Sequence, residues 1–128
     1  MNNLDAFIKE EVTKILLDAG IPVNLQGYRC LQSSVAYVIR QPSLLRGVTK
    51  KLYPMVGKNF GISGSVVERS MRHAAEIAFI KTQLRSICGL FGIPEENWTY
   101  KPSNSEIIAL IAEHVRLKAQ KEGLMPCA

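Results

Sequence analysis

The stretch from Tyr53 to Lys81, YPMVGKNFGISGSVVERSMRHAAEIAFIK, decides how this chain folds. Two helices joined by a tight turn and crossing closely need a small residue on the first helix. They also need a glycine where the turn goes left-handed, and apolar residues on either side of it. Gly57 supplies the small residue and Gly61 the turn, while Val56, Phe60, Ile62 and Val67 supply the apolar contacts. One position departs from the pattern: Ser70 stands where a further apolar residue is expected, with Met71 beside it. A plain helical hairpin shares part of this pattern, so the turn alone does not settle a helix-turn-helix.

The second helix of the pair, expected from about Ser63 to Lys81, sorts its residues by face. On a wheel of about 100° per residue, Val67, Met71, Ala74 and Ala78 share one side. Ser65, Glu68, Arg69, Arg72 and Glu76 share the opposite side. A polar, Arg-rich face early in a helix is what the major groove of DNA accepts. Arg bonds guanine O6 and N7 bidentately, and Glu accepts from cytosine N4. The plain alternative is a solvated helix with Glu68 and Arg72 as an i,i+4 ion pair.

Outward from this segment the chain reads as helix throughout. Asn3 is placed to cap a first helix whose apolar positions Leu4, Phe7, Ile8, Val12, Ile15 and Leu16 follow a three-to-four spacing, ended by Gly20 and Pro22. Leu31, Val35, Val38 and Ile39 mark a second helix, stopped at Gln41-Pro42. Leu44, Leu45 and Val48 open a third helical region running through Leu52, Val56 and Phe60, with Pro54 starting a fresh helix. Thr82 to Phe91 is expected as a short fifth helix, followed by the loop GIPEENWTYKP. Ser103 and Glu106 form a capping-box pattern before a last helix that turns Ile107, Ile108, Ile111, Ala112 and Val115 inward. Its final turns carry Arg116, Lys118 and Lys121, where the helix dipole favours cations. No period-two strand with hairpin turns stands out. The fold class is all-α, in one domain spanning 1–128.

Composition narrows the function. The 128 residues are 47% hydrophobic and 21% charged, which fits a globular chain and not a disordered one. No apolar run approaches the roughly 20 residues of a membrane helix. The acidic, amphipathic start is not a signal peptide, so a cytoplasmic location is expected. Three widely spaced cysteines, Cys30, Cys88 and Cys127, suit reduced thiols. The net charge of +5 is concentrated: residues 28–81 carry nine Lys/Arg against Glu68 and Glu76, whereas residues 1–27 are net acidic and 82–128 neutral. A basic centre of this kind points to a polyanion partner.

Other chemistry is poorly supported. His73 and His114, the only histidines, have no Cys or carboxylate at ligand spacing, so no metal site is expected. His73 lies beside the Arg face, where it suits a phosphate contact or a packing role. Cys30 and Cys88 read as core thiols. Trp98 and Tyr100 read as anchors of the loop to the core. No phosphate-binding glycine loop and no nucleophile elbow is present. No cofactor and no small-molecule substrate is implied.

Several short motifs carry a resemblance. LYP at Leu52–Pro54, VERSMRHA at Val67–Ala74 and KPSNSE at Lys101–Glu106 resemble the C-terminal DNA-binding domain of the stage-zero sporulation response regulator family. GYRCL at Gly27–Leu31, VTKKLYP at Val48–Pro54 and LFG at Leu90–Gly92 agree with it, in matching order from about Asp5 to Gln120. The resemblance implies a six-helix domain containing a helix-turn-helix. It further implies the winged-helix-like response-regulator effector class, without clear wing strands. It also implies binding to short promoter boxes resembling TGTCGAA, often as a homodimer or tandem pair on double-stranded DNA. Base-reading roles would fall on Glu68 and Arg69. Further DNA contacts would fall on Ser65, Val66, Arg72 and His73. Phosphate contacts are expected, from charge and position, at Lys50, Lys51, Lys58, Ser63 and Lys101. The family commonly has Arg at the position of Val66, which cannot hydrogen-bond a base. Its full-length members carry an N-terminal receiver domain, whereas this sequence opens directly on the effector region, so no phosphorylation switch of its own is expected. The reading that follows is a non-enzymatic transcription regulator. The alternative is an interaction module that pairs with the full-length regulator or another protein, and a small enzyme is a distant third.

Overall fold

The computed structural model describes residues 3–81, 83–90, 92 and 101–127. Six α-helical segments follow one another among them: α1 (Asn3–Asp18), α2 (Gln26–Arg40), α3 (Tyr53–Phe60), α4 (Gly64–Ile80), α5 (Ser86–Gly89) and α6 (Asn104–Lys121). No strand occurs among the described residues, so the all-α, six-helix expectation holds. Nor is any described helix long and apolar enough to cross a membrane. The expectations for Trp98, Tyr100 and the Cys88 thiol lie outside what is described.

Helix α2 is the hub, packing against α1, α3, α4 and α6. It buries Tyr28, Cys30, Leu31, Ser34, Val35, Val38 and Ile39. Around it, α1 contributes Ile8, Val12, Ile15 and Leu16. Helix α6 contributes Ile107, Ile108, Ile111, Ala112, Val115 and Ala119. The buried Ser34 hydroxyl donates to Met71 Sδ at 3.5 Å, which satisfies a polar group inside this core. Burial pushes the Cys30 thiol up to about 11, so it stays protonated, while Cys127 is exposed.

The region before α3 differs from the continuous helix expected. A 3-10 turn over Pro42–Arg46 is followed, after Gly47, by a π-helical turn over Val48–Leu52. The Gly47 carbonyl accepts from Lys51 N–H at 2.8 Å and Leu52 N–H at 3.2 Å. Pro54 explains the widening. Its ring would meet the carbonyl four residues back in an uninterrupted α-helix, and it brings no N–H of its own. Within the first turn of α3 that missing donor costs nothing.

Two smaller differences are local. The fifth helix is a 3-10 turn (Gln83–Arg85) plus one α turn, not a run from Thr82 to Phe91. Gly89 and Gly92, the latter at φ 69°, weaken helix in that stretch. Asn3 is the first residue of α1 rather than a residue ahead of it.

Two glycines are imposed by space rather than by turn geometry. A Cβ on Gly27 would lie 2.2 Å from the Ser70 carbonyl oxygen and 2.8 Å from the Ala74 side chain. A Cβ on Gly57 would lie 2.3 Å from the Ile62 carbonyl oxygen, so Gly57 accommodates the turn itself. Gly61 is the opposite case, with open space but φ 68°. Gly27→Ala should therefore cost about 3 kcal/mol through forced separation of two helices. Gly61→Ala should cost only about 1 kcal/mol from left-handed strain. Urea midpoints at unchanged m-value test the ranking, and equal losses would contradict it.

Candidate nucleic-acid interface

Helix α3 ends in a Schellman-type turn. The N–H groups of Gly61 and Ile62 both reach the Gly57 carbonyl, the latter at 3.0 Å. The chain then becomes extended at Ser63, whose hydroxyl accepts from Val66 N–H at 3.3 Å and so caps α4. Val67, Met71, Ala74, Ala75 and Ala78 turn inward. The expected division of the helix is therefore present, with Ala75 added to its buried side. Ser65, Arg69, Arg72, His73 and Glu76 are exposed, and Val66 and Glu68 are half-buried.

Ser70 departs from the apolar pattern for a reason visible in its contacts. Its hydroxyl donates to Gln26 Oε1 at 3.1 Å, and its carbonyl fills the space left by Gly27. It faces Gln26, the first residue of α2, and is only half-buried, so an apolar residue is not required there.

The Glu68–Arg72 ion pair exists, with Arg72 Nη1 2.7 Å from Glu68 Oε1. Both side chains are 40–51% exposed, so the pair is worth only about 0.3–0.5 kcal/mol. Arg69 makes no ion pair among the described residues.

The remaining cations fall in three places. Lys50 and Lys51 are exposed on the π-helical turn, which packs against α3 and α4. Lys58 is exposed in the last turn of α3. Lys101 stands across an open cleft of about 360 Å³ whose walls include Tyr53, Glu68, Arg72 and the first turn of α6. Glu68, Arg72 and Lys101 thus share one cleft, whereas Lys50, Lys51 and Lys58 do not line it.

That cleft contains two residues that sequence reasoning passed over. Asn104 Nδ2 donates to the Glu68 carbonyl at 3.0 Å, and Asn104 shares the cleft wall with Tyr53. Burial first, and the Glu68 carboxylate second, push the Tyr53 hydroxyl above its ordinary value against the opposing pull of Asn104. The phenol therefore stays neutral. The capping box is formed as expected: the Ser103 hydroxyl accepts from Glu106 N–H at 3.2 Å, and Glu106 Oε1 accepts from Ser103 N–H at 3.0 Å. It signals where α6 begins, but nothing in local sequence says that the next residue reaches α4.

The sporulation initiation factor Spo0A C-terminal family matches residues 12–115. The chain belongs to that family. The match runs from α1 through most of α6 and takes in the whole helix-turn-helix. As a Spo0A C-terminal domain, it is a DNA-binding domain of a sporulation regulator, from a family of transcription factors rather than enzymes.

The cap and the ion pair should separate cleanly on the Spo0A-type α4. Ser63→Ala should cost about 1 kcal/mol by orphaning first-turn N–H groups. Glu68→Gln should cost less than about 0.5 kcal/mol. Thermal melts of both variants check this, and a Glu68→Gln loss larger than that of Ser63→Ala would show that the ion pair is structural.

Proposed function

We propose that this chain regulates transcription by reading a short promoter box with α4 laid in the major groove. The observation that carries the reading is the outward face of α4. Arg69 is exposed with no ion-pair partner among the described residues, and Arg72 is held only by a weak surface pair. A bidentate Arg–guanine contact discriminates by about 1–3 kcal/mol, several times the worth of the Glu68–Arg72 pair. The pair therefore does not withhold Arg72 from DNA.

In this reading Glu68 and Arg69 contact base edges, and Ser65, Val66, Arg72 and His73 add contacts beside them. Val66 offers only an apolar touch, which suits a thymine methyl group. Lys50, Lys51, Lys58, Ser63 and Lys101 meet phosphates. The 128 residues work as one domain, in the cytoplasm with the DNA, and a homodimer or tandem pair occupies adjacent boxes. The interaction-module alternative would gain if the arginines were tied up, and Arg69 has no ion pair among the described residues.

Fluorescence anisotropy with a TGTCGAA-type duplex and a scrambled one tests the proposal. Affinity should fall with salt at a slope near −0.9 per phosphate contacted. Arg69→Ala should lose about 1–3 kcal/mol on the box and less on the scrambled duplex. Lys51→Ala should weaken both alike. No DNA affinity at low salt would remove the reading, and equal behaviour of the two variants would overturn the division of roles.

Val66→Arg should tighten box binding by about 1–2 kcal/mol, because an arginine in the first turn of α4 can reach a guanine or a phosphate. Melting temperature measured alongside separates this from damage to the fold. A stable variant with unchanged or weaker binding would mean that α4 docks in some other way.

A further inference from the structure

We infer that Asn104 is a positioning residue that sets the docking angle of α4 on DNA. The inference rests on α4 being the reading helix, and it concerns a residue that lies outside the helix-turn-helix altogether.

Three observations meet at this side chain. Its amide donates to the backbone carbonyl of Glu68 at 3.0 Å, so it grips the main chain of α4 at the residue that begins the outward Glu68–Arg72 face. It lines one cleft with Tyr53, the first residue of α3, which is itself only 4% exposed. It follows directly on Ser103 and is three residues from Lys101, which lines the same cleft as Arg72. One amide therefore ties the early turns of α4 to the segment bearing Lys101, beside the start of α3.

The geometry gives that tie a specific consequence. The buried side of α4 is mostly short, with Ala74, Ala75 and Ala78 following Val67 and Met71. The close seat of α4 on α2 lies at Ser70 and Ala74, beyond Glu68 and Arg69, and so holds the start of the base-facing stretch less directly. Ser63 caps α4 at its start, and Gln26 holds Ser70 farther along. Asn104 supplies the fixed point between them, at the level of the base-facing residues. A lateral shift there moves Glu68, Arg69 and Arg72 relative to Lys101. Base contacts need bidentate geometry and are sensitive to such a shift, whereas contacts of long cations with phosphate are tolerant of it.

The position of Asn104 makes the test clean. The backbone of this turn is held by the Ser103–Glu106 capping box, which does not use the Asn104 side chain. Asn104→Asp keeps the shape, places an acid in the first turn of a helix where the dipole favours it, and removes the donor. Asn104→Ala removes the donor without adding charge. Anisotropy titrations of the full chain, with the TGTCGAA-type and scrambled duplexes, give the ratio of the two affinities. Melting curves run alongside.

In both variants box affinity should fall about tenfold and scrambled-duplex affinity less than about twofold, so that the ratio collapses. A merely structural role would reduce the active fraction on both duplexes equally and leave the ratio where it was. A wild-type ratio in both variants overturns the inference even if they melt early. A wild-type protein with no preference for the box overturns the reading of α4, and this inference with it.

Discussion

The contact on which the rest of the structure depends is the approach of α2 to α4 at Gly27. Backbone meets backbone there: the space that a Cβ would need is taken by the Ser70 carbonyl and the Ala74 methyl. Such closeness is helped by Ala74, Ala75 and Ala78 on the later half of the inner side of α4. Ser70 and Gln26 close the contact with a hydrogen bond at its rim. Helix α2 is also the element against which α1, α3 and α6 pack, so the seating of α4 on α2 determines which way its polar face looks. The glycine turn at 57–61 then only has to deliver the chain to that seat.

Charge is arranged around the same framework. Among the residues from Ala19 to Val67 there is not one Asp or Glu, and Arg29, Arg40, Arg46, Lys50, Lys51 and Lys58 are all exposed. The acidic groups of α1 are largely engaged with nearby cations: Asp5 with Arg40, Glu10 with Lys14, and Glu11 with both Lys14 and Lys118. These pairs are exposed on at least one side and contribute little to stability. Their larger effect is on the field, because they neutralise the carboxylates close to where they stand and, Arg40 apart, leave the positive segment uncompensated.

Much of this was legible in the sequence. The faces of α4 and α6 follow from helical spacing, Gly61 from the left-handed turn, and Ser103 with Glu106 from a four-residue signature. What local pattern does not reveal is contact across long separations. Gly27 reads as an ordinary residue near a helix start, and its partner Ser70 is forty-three positions away. Asn104 reads as a good first-turn residue, and its hydrogen bond ends at Glu68. Ser70 itself looked like a flaw in the apolar pattern until its two contacts were seen. The fifth helix is shorter than expected for a different reason: Gly89 lies within the stretch and Gly92 follows it, and glycine weakens helix.

The wide turn at Val48–Leu52 bears on how chains of this fold can differ in length. A π turn holds more residues than the 3.6 of an α turn. Loss of one residue from it can be absorbed by an α turn kinked at Pro54, with Tyr53 and everything after it unmoved. The same loss inside α4 would rotate all later residues by about 100° and carry Arg72 toward the core. Insertions and deletions among related domains should therefore collect ahead of Tyr53, and the span from there through α4 should keep a constant length.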